Sequence, residues 1–267
     1  MQTESIRRRL EAAASIIEEA GRLAMRMRPP PGMATAKLKG AQDWVTEADG
    51  AVERLIAGRI AARFPQDDVQ GEEAGLQARS GPSSSLRWVI DPIDGTANFA
   101  RGASRWCVSI GLLADGVPVL GLIEAPALGE RFAGSIGGDA TFNGAAMRAA
   151  RTASPASSII EIGWGPKSIA AEHAALVGRV LALGAAVRTG GSGALALADV
   201  AAGRLDGYIE QSINLWDVAG ALPILAESGA TVSAFLSKGG MTGPAPILAA
   251  APTIAEALGL ASGIALI

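Results

Sequence analysis

The sequence carries a single cysteine, Cys107, so no intrachain disulfide can close and no cysteine cluster can hold a metal. Cys107 lies in an apolar strand-like run and reads as a small core residue. Histidine is equally scarce. His173 is the only one, which excludes histidine-dependent triads and phosphohistidine chemistry unless it is itself catalytic. Its Ala-Glu-His-Ala surroundings carry no partner motif and predict an exposed helix position. Positive charge is not in excess: 23 Lys and Arg stand against 26 Asp and Glu, for a net charge of −3. That balance offers no basic patch for nucleic acid or an anionic lipid surface. No uninterrupted apolar run approaches the roughly 20 residues that a membrane span needs. The charged, helix-period stretch from Thr3 to Arg28 lacks the short apolar core and small-residue cleavage site of a signal peptide. A cytoplasmic chain with neither nucleic acid nor membrane as partner is the expectation.

What is present is an ordinary globular composition, 49% apolar and 18% charged over 267 residues, enough for one large domain or two intimate halves. Ile6, Leu10, Ala14 and Ile17 share one side of a 3.6-residue period, with Arg7, Glu11, Glu18 and Arg22 opposite, which predicts an amphipathic helix. Pro29-Pro30-Pro31-Gly32 ends it. A loop bearing Lys37 and Lys39 follows, and Thr46 is placed as the N-cap of a second helix reaching about Phe64, with Asp49 as the reciprocal half of a capping box.

Leu86 to Ile90 reads as a buried strand ending at Asp91, and the runs Trp106–Leu113 and Val117–Ile123 flank Asp115-Gly116, a strong hairpin signal. A further hairpin is read at Arg131–Ala133 and Ala140–Phe142. The first half is therefore expected to be helices on an antiparallel sheet. From about residue 151 strands alternate with alanine-rich helices: strands at Ser158–Ile162, Ala185–Arg188 and Gly207–Glu210, helices at Ala170–Leu183, Ala194–Ala202 and Trp216–Glu227. Such alternation predicts an α/β layer.

The strongest chemical signal is Asp91-Pro92-Ile93-Asp94-Gly95-Thr96 directly after a strand. Pro92 stiffens the link between two carboxylates, and Gly95 permits a turn that a side chain would forbid. Two close carboxylates repel, and a hard divalent cation with oxygen ligands relieves them. Asp-Pro and Asp-Gly pairs are also plain turn formers.

Taken with Gly71-Glu72-Glu73, Trp216-Asp217-Val218-Ala219-Gly220 and Trp44-Val45-Thr46-Glu47-Ala48-Asp49, the hexapeptide resembles the motif set of the inositol monophosphatase family, over roughly residues 10 to 250. The resemblance implies an α/β fold, α+β by some schemes, in layers α/β/α/β/α. It implies an N-terminal half, 1–150, with most metal ligands, and a C-terminal half, 151–267, completing the site. It implies two or three Mg2+ ions held by Glu72, Asp91, Asp94, Asp217 and the Ile93 carbonyl, with Glu72 also counted among the catalytic residues. Thr96, hydrogen-bonded to Asp49, would orient and help deprotonate the attacking water. The Gly95 and Thr96 amides would bind phosphate, and Gly191, Ser192, Gly193 and Glu210 would meet the alcohol.

The resemblance places the Lys37–Lys39 loop over the phosphate; by one reading of the spacing Lys39 fits better than Lys37, and a solvated loop lysine is the plainer reading of either. The activity implied is Mg-dependent hydrolysis of a small phosphate monoester, with an inositol monophosphate first because Asn98-Phe99 is kept, in a homodimer. The run Gly121 to Arg131 is also similar to histidinol phosphatases of the same fold. A catalytically idle binding or regulatory relative is the reading from another class.

Each site residue has a plainer reading. Glu72 and Glu73 are also a solvated acidic turn, Glu210 a solvated strand-end charge, and Asp217 a helix-start carboxylate.

Overall fold

The computed structural model describes residues 2–33, 36–40, 43–77, 85–165 and 167–266. Most of the polar loop from Ser80 to Ser85 lies outside them. Helix α1 (Gln2–Met27) stops at the proline run, and a short hairpin of β1 (Lys37–Gly40) and β2 (Asp43–Val45) leads to α2 (Glu47–Arg63). Thr46 caps α2 as expected: Thr46 N donates to Asp49 Oδ2 at 2.8 Å, and Ala48 N donates to Thr46 Oγ1 at 3.2 Å. Seven strands and a short helix α3 (Thr96–Ala100) make up most of the remainder of this half: β3 (Asp68–Gly71), β4 (Gly75–Gln77), β5 (Leu86–Asp94), β6 (Cys107–Ala114), β7 (Val117–Ala125), β8 (Glu130–Ser135) and β9 (Thr141–Phe142). With β10 (Ala145–Ala146) they form an eight-stranded sheet in the order β10-β9-β8-β7-β6-β5-β3-β4.

The β6–β7 hairpin turns at Asp115 and Gly116, both with positive φ, 49° and 81°. The sheet is not wholly antiparallel. β3 pairs parallel to β5, because β4 runs antiparallel to β3 and carries the chain back toward the end of the sheet where β3 began before β5 starts.

The second half holds β11 (Ile159–Ile162), α4 (Ala170–Ala182), β12 (Ala186–Arg188), α5 (Gly193–Ala201), β13 (Gly207–Ile213), α6 (Leu215–Ala219), α7 (Ala221–Ser228), β14 (Thr231–Val232), β15 (Ala245–Ala250) and α8 (Ala255–Ser262). Its five-stranded sheet runs β12-β11-β13-β15-β14. β11 pairs parallel to both neighbours, as alternation predicts, whereas β13–β15 and β14–β15 are antiparallel. The helix expected over Trp216–Glu227 is two helices meeting at Gly220. Pro223 supplies the reason, since it has no N–H for the carbonyl four residues back, at Ala219.

Three buried clusters define the layers. Ile16, Ile17, Ile56 and Ile60 of α1 and α2 pack with Trp88 and Ile110 on one face of the large sheet. Leu195, Leu197, Val218 and Ile224 of α5 to α7 fill the space between the sheets against Val89, Phe132, Tyr208 and Ile247. Leu176 and Leu258 of α4 and α8 cover the outer face of the small sheet. The result is an α/β/α/β/α stack, the layering that the motifs imply. At the centre of the stack α6 and α7 touch the large sheet almost backbone to backbone. A Cβ added at Gly121 would lie 1.9 Å from the Gly220 carbonyl oxygen. This close approach carries Asp217, three residues earlier, down onto the strand that holds Asp91. Among the described residues no helix is long and apolar enough to cross a membrane.

Candidate active site

Asp91 and Asp94 are three residues apart, and in a regular strand residues at odd spacing point to opposite faces. The structure resolves this with a bulge. Asp91 pairs with Ser109 and Asp94 with Cys107, so three steps on β5 oppose two on β6. Pro92, which has no N–H for the ladder, occupies the irregular stretch. The extra residue returns Asp94 to the side of Asp91, and Asp91 Oδ1 accepts the Ile93 amide at 3.0 Å to fix the turn. Asp217 arrives from α6, where its Oδ2 accepts the Asn214 amide at 2.9 Å in a capping box. One carboxylate oxygen from each of Asp91, Asp94 and Asp217 lies within 4.8 Å of the others.

A second group of carboxylates, Asp49, Glu72 and Glu73, converges equally closely. Glu72 reaches the edge of β5 through its amide, which donates to the Ile90 carbonyl at 3.2 Å. The motifs point to Glu72 as one ligand set with the three aspartates; the geometry groups it with Asp49 and Glu73, next to that set. Thr96 joins the groups: its Oγ1 stands 3.3 Å from Asp49 Oδ1 and 2.9 Å from the Ile93 carbonyl oxygen. Asp49 is thus both the helix-capping residue and a neighbour of Thr96, so its two readings coincide.

The glycine-rich turn of residues 189–193 comes from the other half of the molecule and seals one side. Gly193 N and Ala194 N donate to Asp94 at 3.2 and 2.8 Å, and the Ser192 hydroxyl donates to the same carboxylate. Ser192 is therefore engaged with Asp94. Asn98 explains its own presence here, since Asn98 Nδ2 donates to the Gly190 and Arg105 carbonyls at 2.9 and 2.7 Å and pins the turn. Glu161, 1% exposed, accepts the Gly190 amide and pairs with Arg105 at 2.8 Å, and Arg105 pairs in turn with Asp199 at 2.9 Å. Neither Glu161 nor Asp199 stood out in the sequence, because a single acidic residue in a strand or helix carries no local pattern.

Glu210 is buried, so the solvated strand-end reading is wrong for it. The Tyr208 hydroxyl donates to its carboxylate, and the main chain at Gly163 crosses directly beside the same carboxylate. Cys107 is in the core as expected, but its Sγ also lies 3.6 Å from Asp94 Oδ2. His173 is half-buried rather than exposed, set edge to face against Trp164 at 5.0 Å. The expectation for the Lys39 side chain lies outside the described residues; Lys37 is exposed on β1.

Burial is the first cause of every large pKa shift here. It pushes Asp91 well above the usual carboxylate range, and the nearby charges that add to this are Glu72, Asp94, Asp217 and Asp49, all carboxylates. Asp217 is raised by burial and then by Asp94 to about 7, although the Asn214 hydrogen bonds oppose the shift. Asp94 is raised by burial, with Ser192 and the α5 amides pulling the other way. Glu210 rises to about 8, again through burial, against the Tyr208 hydrogen bond. The convergent oxygen donors of buried Asp91 and Asp94 and half-buried Asp217 form a set that fits a hard divalent ion such as Mg2+.

These shifts set a pH dependence. A carboxyl group with a raised folded pKa keeps its proton in the native state after the unfolded chain has released it. The stability it contributes is fully present below the ordinary values of 3.8 for Asp and 4.5 for Glu, and is lost as pH rises through the folded values near 7 and 8. Metal-free protein is expected to melt lower at about pH 8 than at about pH 5.5, with a loss of at least about 2 kcal/mol, or roughly 4–8 °C. Added Mg2+ should stabilise most at the higher pH, where protons no longer compete. Melting curves with chelator and with Mg2+ at both pH values check this; a metal-free midpoint that rises with pH would contradict it.

Residues 6–262 match the model of the inositol monophosphatase family. Nus factor SuhB of Escherichia coli K12 is 32% identical over 251 residues, 93% of each chain. Inositol-1-monophosphatase of Synechocystis is 37% identical over 198 residues, 73% of this chain and 68% of that protein. The solved structure of inositol monophosphatase from Anabaena superposes with a TM-score of 0.80 at 32% identity, covering 96% of both chains.

Proposed function

The chain belongs to the inositol monophosphatase family, and from that premise we propose that it hydrolyses a small phosphate monoester, an inositol monophosphate before others. The observation that supports this most is the convergence of Asp91, Asp94 and Asp217 from two distant segments beside the Thr96–Asp49 pair. Mg2+, two or three ions held by Glu72, Asp91, Asp94, Asp217 and the Ile93 carbonyl, would supply the positive charge that acidifies water and neutralises phosphate oxygens.

The chain's own residues do the remainder. Thr96 Oγ1 takes a proton from the attacking water as its own passes to Asp49, 3.3 Å away. Burial raises the Asp49 pKa, which makes it a better proton acceptor than a surface aspartate. The amides of Gly95 and Thr96 hold the phosphate. Gly95, with φ of 89°, sits against the Gly191–Ser192 turn, so phosphate and alcohol sites adjoin. Gly191, Gly193 and Glu210 face the alcohol, and Lys39 is assigned to the phosphate on its place in the motif set alone. A cytoplasmic homodimer, its halves 1–150 and 151–267 meeting at the site, completes the proposal.

Thr96→Ala is expected to lower kcat by roughly 10²–10⁴-fold, the usual contribution of a positioned proton-transfer group. Thr96→Ser should recover most of the loss, and an alanine variant within threefold of wild type would remove Thr96 from the mechanism.

Glu210 tests the substrate. Burial raises its carboxyl to about 8 in the metal-free protein, and a cation held by Asp94 and Asp217, whose charges add to that rise, would lower it; its oxygens accept from substrate hydroxyls, as a glutamine amide oxygen also does. On an inositol phosphate, Glu210→Gln should cost about tenfold or less in kcat/KM, as a neutral hydrogen bond is worth about 1 kcal/mol. On histidinol phosphate, a charge-assisted bond would be lost, at about 1.5–3 kcal/mol. A wild-type preference for histidinol phosphate with the larger loss there would replace the polyol reading. A second reading, in which the chain works as a binding protein, has support in the name Nus factor SuhB borne by a relative. It requires no turnover.

A further inference from the structure

We infer that Glu53, on α2, is a positioning residue that holds the turn of residues 71–74 so that Glu72 stands beside Asp91. Glu53 is 3% exposed and follows Asp49 by one helical turn on the same face of α2. Its carboxylate closes the turn with both oxygens: Oε2 accepts the Glu73 amide at 2.9 Å, and Oε1 accepts the Ala74 amide at 2.8 Å. The fit leaves no slack. A Cβ at position 71 would lie 2.2–2.5 Å from the Glu53 carboxyl atoms, so only glycine lets the helix come this near.

On the other side of the same turn Glu72 N is fastened to the Ile90 carbonyl, one residue before Asp91. The turn is held at both ends, by β5 and by Glu53, and Glu72 is the residue between. A buried carboxylate is costly to desolvate and is a poor choice for packing alone. Here its two bonds run to consecutive amides of the segment that carries a proposed metal ligand. Helix α2 thereby sets two members of the Asp49–Glu72–Glu73 group, one directly through Asp49 and one at a distance through Glu53.

The inference rests on the proposal that these carboxylates bind a divalent cation, and the test separates the two. Mn2+, a paramagnetic oxygen-preferring ion, is titrated by electron paramagnetic resonance into wild type, Glu53→Gln and Glu53→Asp. Melting midpoints and KM for a phosphate monoester are measured alongside. An amide side chain accepts with only one atom and the shorter carboxylate cannot span both amides. Both variants are therefore expected to bind Mn2+ about 10–100-fold more weakly, the usual cost of losing a group that orients a ligand. Measured at saturating metal, KM for the ester should stay within about threefold, because Glu53 does not face the substrate, whereas general loosening of the fold would move both constants.

Should Glu53→Gln fail to fold, Glu53→Asp is read in the same way. Hydrogen exchange on metal-free wild type adds a readout without any variant: the Glu73 and Ala74 amides should be protected before metal is present. Wild-type Mn2+ affinity in the variants, or unprotected amides at both positions, would overturn the role of Glu53 alone. A wild type that binds no Mn2+ would overturn the metal site and this inference with it.

Discussion

Asp94→Asn is expected to leave a folded protein that has lost at least about a hundredfold in kcat/KM. Mutating a group that merely orients a ligand costs 10–100-fold in activity or affinity, so removing a ligand's own charge should exceed that range. The fold should survive for a local reason. Asp94 also meets the N-terminus of α5, accepting Gly193 N and Ala194 N at 3.2 and 2.8 Å, and asparagine has the same shape and keeps one acceptor oxygen there. One amide oxygen can keep the Ala194 bond, but the amide NH2 then confronts another donor. A stability cost of about 1–3 kcal/mol follows, against a large loss of activity. Circular dichroism and melting on the same sample as the kinetics separate the two. A well-folded Asp94→Asn protein turning over within tenfold of wild type would take Asp94 out of the ligand set.

Much of this site was legible in the chain because its residues sit in local patterns with physical reasons. Thr46 and Asp49 form a capping box, Asp115-Gly116 supplies two positive-φ positions, and Pro92 and Gly95 frame paired aspartates. What could not be read was long-range. The bulge that turns Asp91 and Asp94 to one side depends on the register against Ser109 and Cys107. The seating of Asp217 depends on Gly121 meeting Gly220, a contact between strand and helix nearly 100 residues apart. Glu161 and Glu53 were invisible because a buried acidic residue and a solvated one look alike in sequence until their partners are known. The parallel β3–β5 pair and the break at Gly220 were missed for related reasons. The first depends on the short strand β4 carrying the chain back between β3 and β5, whereas Pro223 is a local signal that the alanine-rich helical pattern outweighs.

Removing Mg2+ should abolish turnover altogether, the largest effect the account predicts. Without a cation, buried Asp91 and Asp94 and half-buried Asp217 bring carboxylate oxygens within 4.8 Å of one another, and the site can hold them only by keeping protons that the chemistry needs removed. An approaching phosphate dianion would add negative charge to a set that already repels itself. The Thr96–Asp49 pair alone would face that repulsion with no positive charge to offset it. The direct test is release of inorganic phosphate from a panel of inositol, histidinol, sugar and nucleotide monophosphates, with Mg2+, with excess chelator, and with Mg2+ restored. The account predicts phosphate release with Mg2+, none above background in chelator, and full recovery on restoring Mg2+. Full turnover in excess chelator, or no release from any ester with Mg2+ by a folded protein, would contradict it.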